Sequence, residues 1–446
     1  VYVVRPLRLL AMDDVRKLKK ISVVPKGMPG KVVVLETDLL FFLISGKDVD
    51  KWTTRWNNEL AIVPYTLKNK KFELIKPTEL KKRYNGIYEY LSDPQTLSIL
   101  EKASSERRDI FDNLKKIFDV SNMNDLSSSI RDATAIERQR EDLWWYRYMR
   151  RQNLEYVNLP KAMVCTTSIE NRFSGDINGS LVPHNVRVYN VVTTRRELPL
   201  VLGILNSKLI GFYLDHVSLI KKGKTFEYIR QSLSLAPMKT LEKRTEKRLA
   251  SEISSRVMRL IKFRKQEQKI DGFPDVYVAS YIRSGEEFDS LSYTPKRNYD
   301  EPTISVQQSL GSKNLKIVVG KEDEIISGLV DSKLKAQYVI ECLMAKKLRK
   351  NQRIELLLPR RDSVCVEVIK RLKDDRESAP GEKIEKLEKE VNWRVFKLYG
   401  IADANEIRTV DGYLSRFSTE YIKKREFEVA KAKQTAQLPT LVIASK

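Results

Sequence analysis

The sequence predicts a mixed α/β (α+β) chain of more than one domain, on three observations. Its 446 residues exceed what one ordinary core encloses, so two or three domains are expected. Hydrophobic residues make up 41%, enough to bury sizeable cores and to exclude a disordered chain. Short β-branched runs bounded by Pro and Gly occur alongside stretches whose apolar residues recur at helical spacing.

Taken in order, residues 1–35 hold Val3-Val4, Leu9-Leu10, Val23-Val24 and Val32-Val33-Val34, broken by Pro25, Gly27, Pro29 and Gly30. They read as short strands around a turn, linking to an upstream domain, and the start at Val1 without Met suggests a piece of something larger. Ala61-Ile62-Val63-Pro64-Tyr65 reads as a buried strand. Residues 78–118 are polar and helical, with Asp93-Pro94 as a helix start. Residues 125–156 form a charged helical stretch ending in Trp144-Trp145-Tyr146-Arg147-Tyr148-Met149-Arg150-Arg151. After Pro160, strands are expected at Ala162–Cys165 and Val186–Val192, around a turn holding Gly175, Asp176, Asn178 and Gly179. Leu198–Leu214 reads as one helix, because Leu202, Leu205, Leu209, Phe212 and Tyr213 fall at helical spacing.

From Leu241 the character changes. Leu249, Ile253, Val257, Leu260 and Ile261 stripe a basic helix. Strands are expected around Ile304, Leu315–Val319 and Ile354–Leu358, with a helix over Lys333–Leu348 and a polar linker over Asp374–Gly381. Ile384, Leu387, Val391, Val395 and Leu398 then stripe a helix that stops at Gly400 and offers an antiparallel partner to the first. The expected organisation is 1–35 strands and linker, 36–240 a first α/β domain, 241–270 a long helix, 271–376 a second α+β module and 377–446 a helical end.

The 82 Lys and Arg against 59 Asp and Glu give a net charge of +23. Such an excess points to a polyanion: DNA, RNA or an anionic membrane surface. The membrane is the weakest of these, because no stretch approaches the ~20 apolar residues of a spanning helix. Cys165, Cys342 and Cys365 are odd in number and far apart, which fits reduced thiols and a cytoplasmic location better than a disulfide framework. His184 and His216 stand alone, and no Cys/His spacing suits zinc. No GxGxxG or GxxxxGK is present, and no two prolines are adjacent, so an Asn-Pro-Pro-aromatic loop that grips a target adenine is absent. The nearest acidic set for a nuclease is Asp275 with Glu286 and Glu287, in the second module.

Three blocks resemble the TaqI-like C-terminal specificity domain of adenine-specific DNA methyltransferases and type IIG restriction-modification enzymes. The first is Ile44-Ser45-Gly46-Lys47-Asp48-Val49-Asp50-Lys51-Trp52, similar to a Gly-Arg-Asp-Ile-x-x-Trp segment, with Lys47 in place of the commoner Arg. The second runs from Pro160 to Pro237: Pro160-Lys161 before an apolar strand, Asn171-Arg172-Phe173, Leu205-Asn206-Ser207-Lys208 and the basic Lys222-Gly223-Lys224. The third is Glu385 to Gly400, where Asn392-Trp393 replaces the usual Asp-Glu. Together they cover about half the chain.

The resemblance implies an α/β target-recognition domain followed by long helices and a second α+β module, docked on double-stranded DNA opposite a methyltransferase half that supplies S-adenosylmethionine and catalysis. No cofactor is expected in this chain itself. The residues it nominates for DNA contact are Lys47, Lys51, Trp52, Arg147, Arg150, Arg151, Asn171, Arg172, Asn206, Lys208, Lys221, Lys222 and Lys224. Basic side chains would hold phosphates, and Arg172 and Asn171 would reach base edges. Two readings stay open for Asn206, a DNA contact or a loop tie, and two for the Trp144–Arg151 cluster, a stacking surface or a core with arginines facing water. The rival functions are the nuclease and a protein-binding scaffold.

Overall fold

The computed structural model describes residues 2–7, 12–68, 71–149, 156–183, 187–221, 225–299, 302–308, 314–320, 323–326, 330–345, 348–351 and 353–412. With 47% helix and 22% strand it is the mixed α/β architecture the sequence predicts. The apolar side chains gather into three cores.

The first core lies under a six-stranded sheet in the order Leu181–Pro183, Leu40–Ile44, Leu60–Ile62, Val3–Pro6, Lys20–Pro25 and Val33–Glu36. Residues 1–35 are therefore not a linker. They supply three strands of the same sheet as the strands at 40 and 60, so a division at 35/36 cuts through hydrogen-bonded neighbours. Alternation makes this possible: Ile21, Val23 and Pro25 turn inward while Lys20 and Ser22 face water. Short helices from Pro77 to Glu137 cover the sheet. Glu36 fixes their entry, its carboxylate accepting from Gly86 N and Ile87 N, both at 3.1 Å, at the start of the Asn85–Ser92 helix. Gly86 allows that approach, since a Cβ there would lie 2.3 Å from the Val34 carbonyl oxygen. Asp93 caps the next helix with Pro94 in its first turn, as its sequence suggests.

The second core joins the sheet Phe173–Asp176, Lys161–Cys165, Val188–Val192 to four helices. The stretch from Leu198 is two helices rather than one, Leu198–Leu205 and Lys208–Val217, bent by 65°. The break sits at Asn206-Ser207, where Ser207 caps the second helix by accepting from Ile210 N. The Arg244–Asp271 helix packs antiparallel against Gly381–Leu398, and both bury their predicted stripes on Leu198–Leu205. Paired charges record the register: Arg394 with Glu252, Arg256 with Glu390, Arg264 with Glu388. These helices do not form a separate unit after residue 240. They complete the second core.

The third core is closed within residues 273–372. Strands Phe288–Tyr293 and Ile354–Pro359 pair, Ile304–Gln308 and Leu315–Val319 form a meander with 323–326, and helices Lys333–Met344 and Asp362–Glu377 pack on them. The expected linker at Asp374 is in fact the last turn of a helix. The chain enters this module from the end of one long helix and leaves it into the start of the other, so the module is an insertion between two paired arms.

Candidate nucleic-acid interface

The nominated residues separate into those the fold consumes and those it leaves at the surface. Trp52 is consumed. It has φ +74°, is 1% exposed, and its Nε1 donates to Glu388 Oε1 at 2.6 Å. Lys51 Nζ lies 3.4 Å from Glu388 Oε2, and Arg264 reaches the same carboxylate at 3.3 Å. Burial alone would raise the Glu388 pKa, but Lys51, the Trp52 indole and Arg264 outweigh it and hold the carboxyl below its ordinary value. The Gly-Lys-Asp block thus clamps the first lobe, made of the six-stranded sheet and the short helices on it, to the Gly381–Leu398 helix of the second lobe. Lys47 stays exposed beside buried Asp48, which accepts from Ser45 N and Oγ.

Asn206 is a loop tie. Its Oδ1 accepts from Phe173 N and its Nδ2 donates to Phe173 O, both at 2.8 Å, in a buried position. Asn171 is another: Nδ2 donates to Leu205 O at 2.6 Å and Ser207 O at 3.1 Å, which removes it from base reading. Their polar atoms bridge a strand end to the helix break because the buried backbone groups there need partners. Arg172 is half exposed and paired with Glu170 at 2.9 Å. Lys208 donates its backbone N–H to Asn392 Oδ1 and pairs with Asp411 at 3.2 Å. Lys221 pairs with Glu227 at 2.5 Å. The Trp144–Tyr146 run is core: the Trp144 and Trp145 indoles donate to Ile136 O and Leu91 O, and Tyr146 Oη to Ile75 O. Arg147 is only half-buried beside it. Arg150, Arg151, Lys222 and Lys224 lie outside the described residues.

What the fold assembles instead is a cleft of ≈ 770 Å³ between the first lobe and the insertion end of the Arg244–Asp271 helix. One wall carries Asp13, Arg16, Arg55, Asp176, Asn178 and Arg195; the other carries Lys265, Lys269, Asp271, Asp275 and Val276, so five cations share the cleft with four carboxylates. Of the nominated residues that are described, only Trp52 reaches it. Lys265 and Lys269 are four apart on the polar face of the striped helix, so they point the same way. Arg195 and Lys265 are exposed with no ion-pair partner among the described residues. Arg55 is shared between Asp271 at 3.1 Å and Asp50 at 3.8 Å, and Lys269 pairs with Asp375 at 2.5 Å. Arg16 donates to Ser180 Oγ and lies 5.1 Å over the Phe42 ring.

A buried ion pair holds the turn that forms the near wall. Lys161 Nζ and Asp176 Oδ2 are 2.9 Å apart at 1% and 3% exposure. Lys161 also donates to Val157 O and Leu159 O, while Asp176 accepts from Ser180 N at 3.0 Å and Leu181 N at 2.8 Å. Asp176 thereby folds the chain into the Asn178 turn and delivers Leu181–Pro183 to the edge of the first sheet. Gly179, at φ +62°, passes so close to the Asn158 carbonyl that a Cβ would lie 2.2 Å from its oxygen. The sequence marks this turn by its Gly, Asp and Asn, but Arg16, Arg55, Arg195 and Lys265 converge only through tertiary packing.

The acids of a nuclease are not brought together. Asp275 opens the Asp275–Arg283 helix and Glu286 follows its end, so about 13 Å of helix separates them. Glu286 and Glu287 are engaged by Arg361 and Arg360. Among the described residues no group of three His, Cys, Asp or Glu is placed to hold a metal ion, and no single helix is long and apolar enough to cross a membrane. A scan against protein-family models and a search of curated proteins find no match to the chain.

Proposed function

We propose that this chain recognises double-stranded DNA, as the specificity part of an adenine-specific DNA methyltransferase or restriction-modification system. The catalytic half, with its S-adenosylmethionine, would be supplied by a methyltransferase domain or subunit. The observation that carries the reading is the cleft, where Arg16, Arg55, Arg195, Lys265 and Lys269 converge from two lobes of a chain with net charge +23. Converging cations suit a phosphate backbone. Asn178, exposed at the tip of its turn, supplies a donor and an acceptor suited to a base edge. Asn206 and Asn171 act one step back, by fixing the strand and helix break behind that surface.

The test is selection from a random duplex pool at near-physiological salt, followed by sequencing of the bound fraction. Enrichment of an asymmetric site containing an adenine is the expected result. Failure to retain duplex at any salt overturns the reading, and so does methyl transfer by the purified chain with donor alone.

A further inference from the structure

Resting on that DNA reading, we infer that Arg55 is a phosphate contact held in reserve by Asp271, so that DNA binds by exchanging one partner of an ion pair for another. Arg55 belongs to the first lobe, in the loop just after the Trp52 clamp. Asp271 is the last residue of the long helix, where the insertion begins. Their side chains meet at 3.1 Å at the cleft, with 56% and 55% exposure. An ion pair so open to water is weak, worth little more than thermal energy, and its partners are easily changed. A phosphodiester offers guanidinium the same fork of two oxygens and the same full charge as the Asp271 carboxylate, so it can take that partner's place without loss of geometry.

Asp271 also stands at the carbonyl end of a 28-residue helix, where a negative charge is disfavoured by the helix dipole. Intrinsic helix stability does not call for an acid there, and the same helix end carries Lys265 and Lys269 on the cleft side. Gln268 Nε2 donating to Thr53 Oγ1 at 2.6 Å ties the same loop to the helix, so losing the ion pair leaves the two lobes in register. Asp50, at 3.8 Å, remains beside Arg55 after Asp271 is displaced. Asp271 then acts as an anionic competitor that any bound backbone must replace. It penalises loosely seated duplex more than a duplex whose phosphate reaches Arg55 squarely.

The experiment compares the full chain with Asp271→Asn, Arg55→Gln and the double variant, measuring the dissociation constant for the selected duplex across a salt series. Both positions are more than half exposed, and thermal melts establish that the variants stay folded. Asp271→Asn is expected to tighten binding roughly three- to tenfold at an unchanged log K against log salt slope, because Arg55 meets the same phosphate in both chains. Arg55→Gln weakens binding, and the double variant matches it. An Asp271→Asn chain no tighter than the parent overturns the exchange while leaving the DNA reading intact. An equal gain from Asp271→Asn in the Arg55→Gln background also overturns it, because the effect would then be net charge alone. A parent chain that binds no duplex overturns both.

Discussion

Asp176→Asn tests the buried pair that shapes the cleft wall. In the native chain the Lys161 ammonium has three acceptors, Asp176 Oδ2 and Val157 O at 2.9 Å and Leu159 O at 3.2 Å, in a site 1% exposed. The substitution keeps the size of the side chain but removes the compensating charge, and its single carbonyl oxygen can serve only one of the Ser180 and Leu181 amides, which donate to Oδ1 and Oδ2 respectively. Stranding one partner of a buried pair costs about 3–5 kcal/mol, and the two remaining carbonyls argue for the lower end, about 3 kcal/mol. Equilibrium urea unfolding followed by tryptophan fluorescence reads this as a lower midpoint with an unchanged slope. Lys161→Met in the same background removes the stranded ammonium and should restore a good part of the loss.

The pH dependence supplies an independent sign. Burial pushes the Lys161 pKa below its ordinary 10.5, against the pull of Asp176. A lysine whose folded value is depressed gains stability as pH rises from that value toward the unfolded one, because the unfolded chain retains a proton that the folded chain has released. Without Asp176 the folded value drops further, so the defect of Asp176→Asn should shrink as pH is raised toward 10. A loss below about 1 kcal/mol at neutral pH, or a defect that does not change with pH, would refute the coupling of the two side chains.

Three further outcomes are expected. Glu388 titrates below its ordinary value in the folded chain, so its contribution is complete above about pH 4.5 and disappears as pH falls through the depressed value; acid unfolding of Glu388→Gln should lack that portion of the pH dependence. Gly203→Ala places a Cβ 2.5 Å from Ile253 Cγ2 and 3.1 Å from Val257 Cγ2, where the Leu198–Leu205 helix meets the long helix. Overpacking of about 1–3 kcal/mol set against about 1 kcal/mol of helix propensity leaves a net loss of about 1 kcal/mol, visible in thermal melts. Lys265→Gln and Arg195→Gln should each reduce the salt slope of duplex binding by ~0.9 while leaving stability unchanged, since both side chains are exposed and unpaired among the described residues.

Much of this molecule was legible in its residues. The striped helices, the Asp93-Pro94 start and the strands at Ala162, Val188 and Leu315 all follow from local signals, which a linear sequence displays, whereas the antiparallel pairing of the two arms was only one option that their stripes allowed. Net charge is likewise a sum over residues and needs no fold. Tertiary structure decided what a sum or a period cannot express. Residues 1–35 entered a sheet with strands from 40, 60 and 181 because backbone edges pair without regard to distance along the chain. Trp52, Asn171 and Asn206, conspicuous as polar or aromatic letters, were spent on Glu388 and on the backbone of Phe173, Leu205 and Ser207, because buried polar groups must find partners wherever the fold puts them. Arg16, Arg55, Arg195 and Lys265, unremarkable among 82 basic residues, became one surface only when two lobes closed around a cleft. The chain spells out which side chains are cationic; only packing determines which of them remain exposed and face one another.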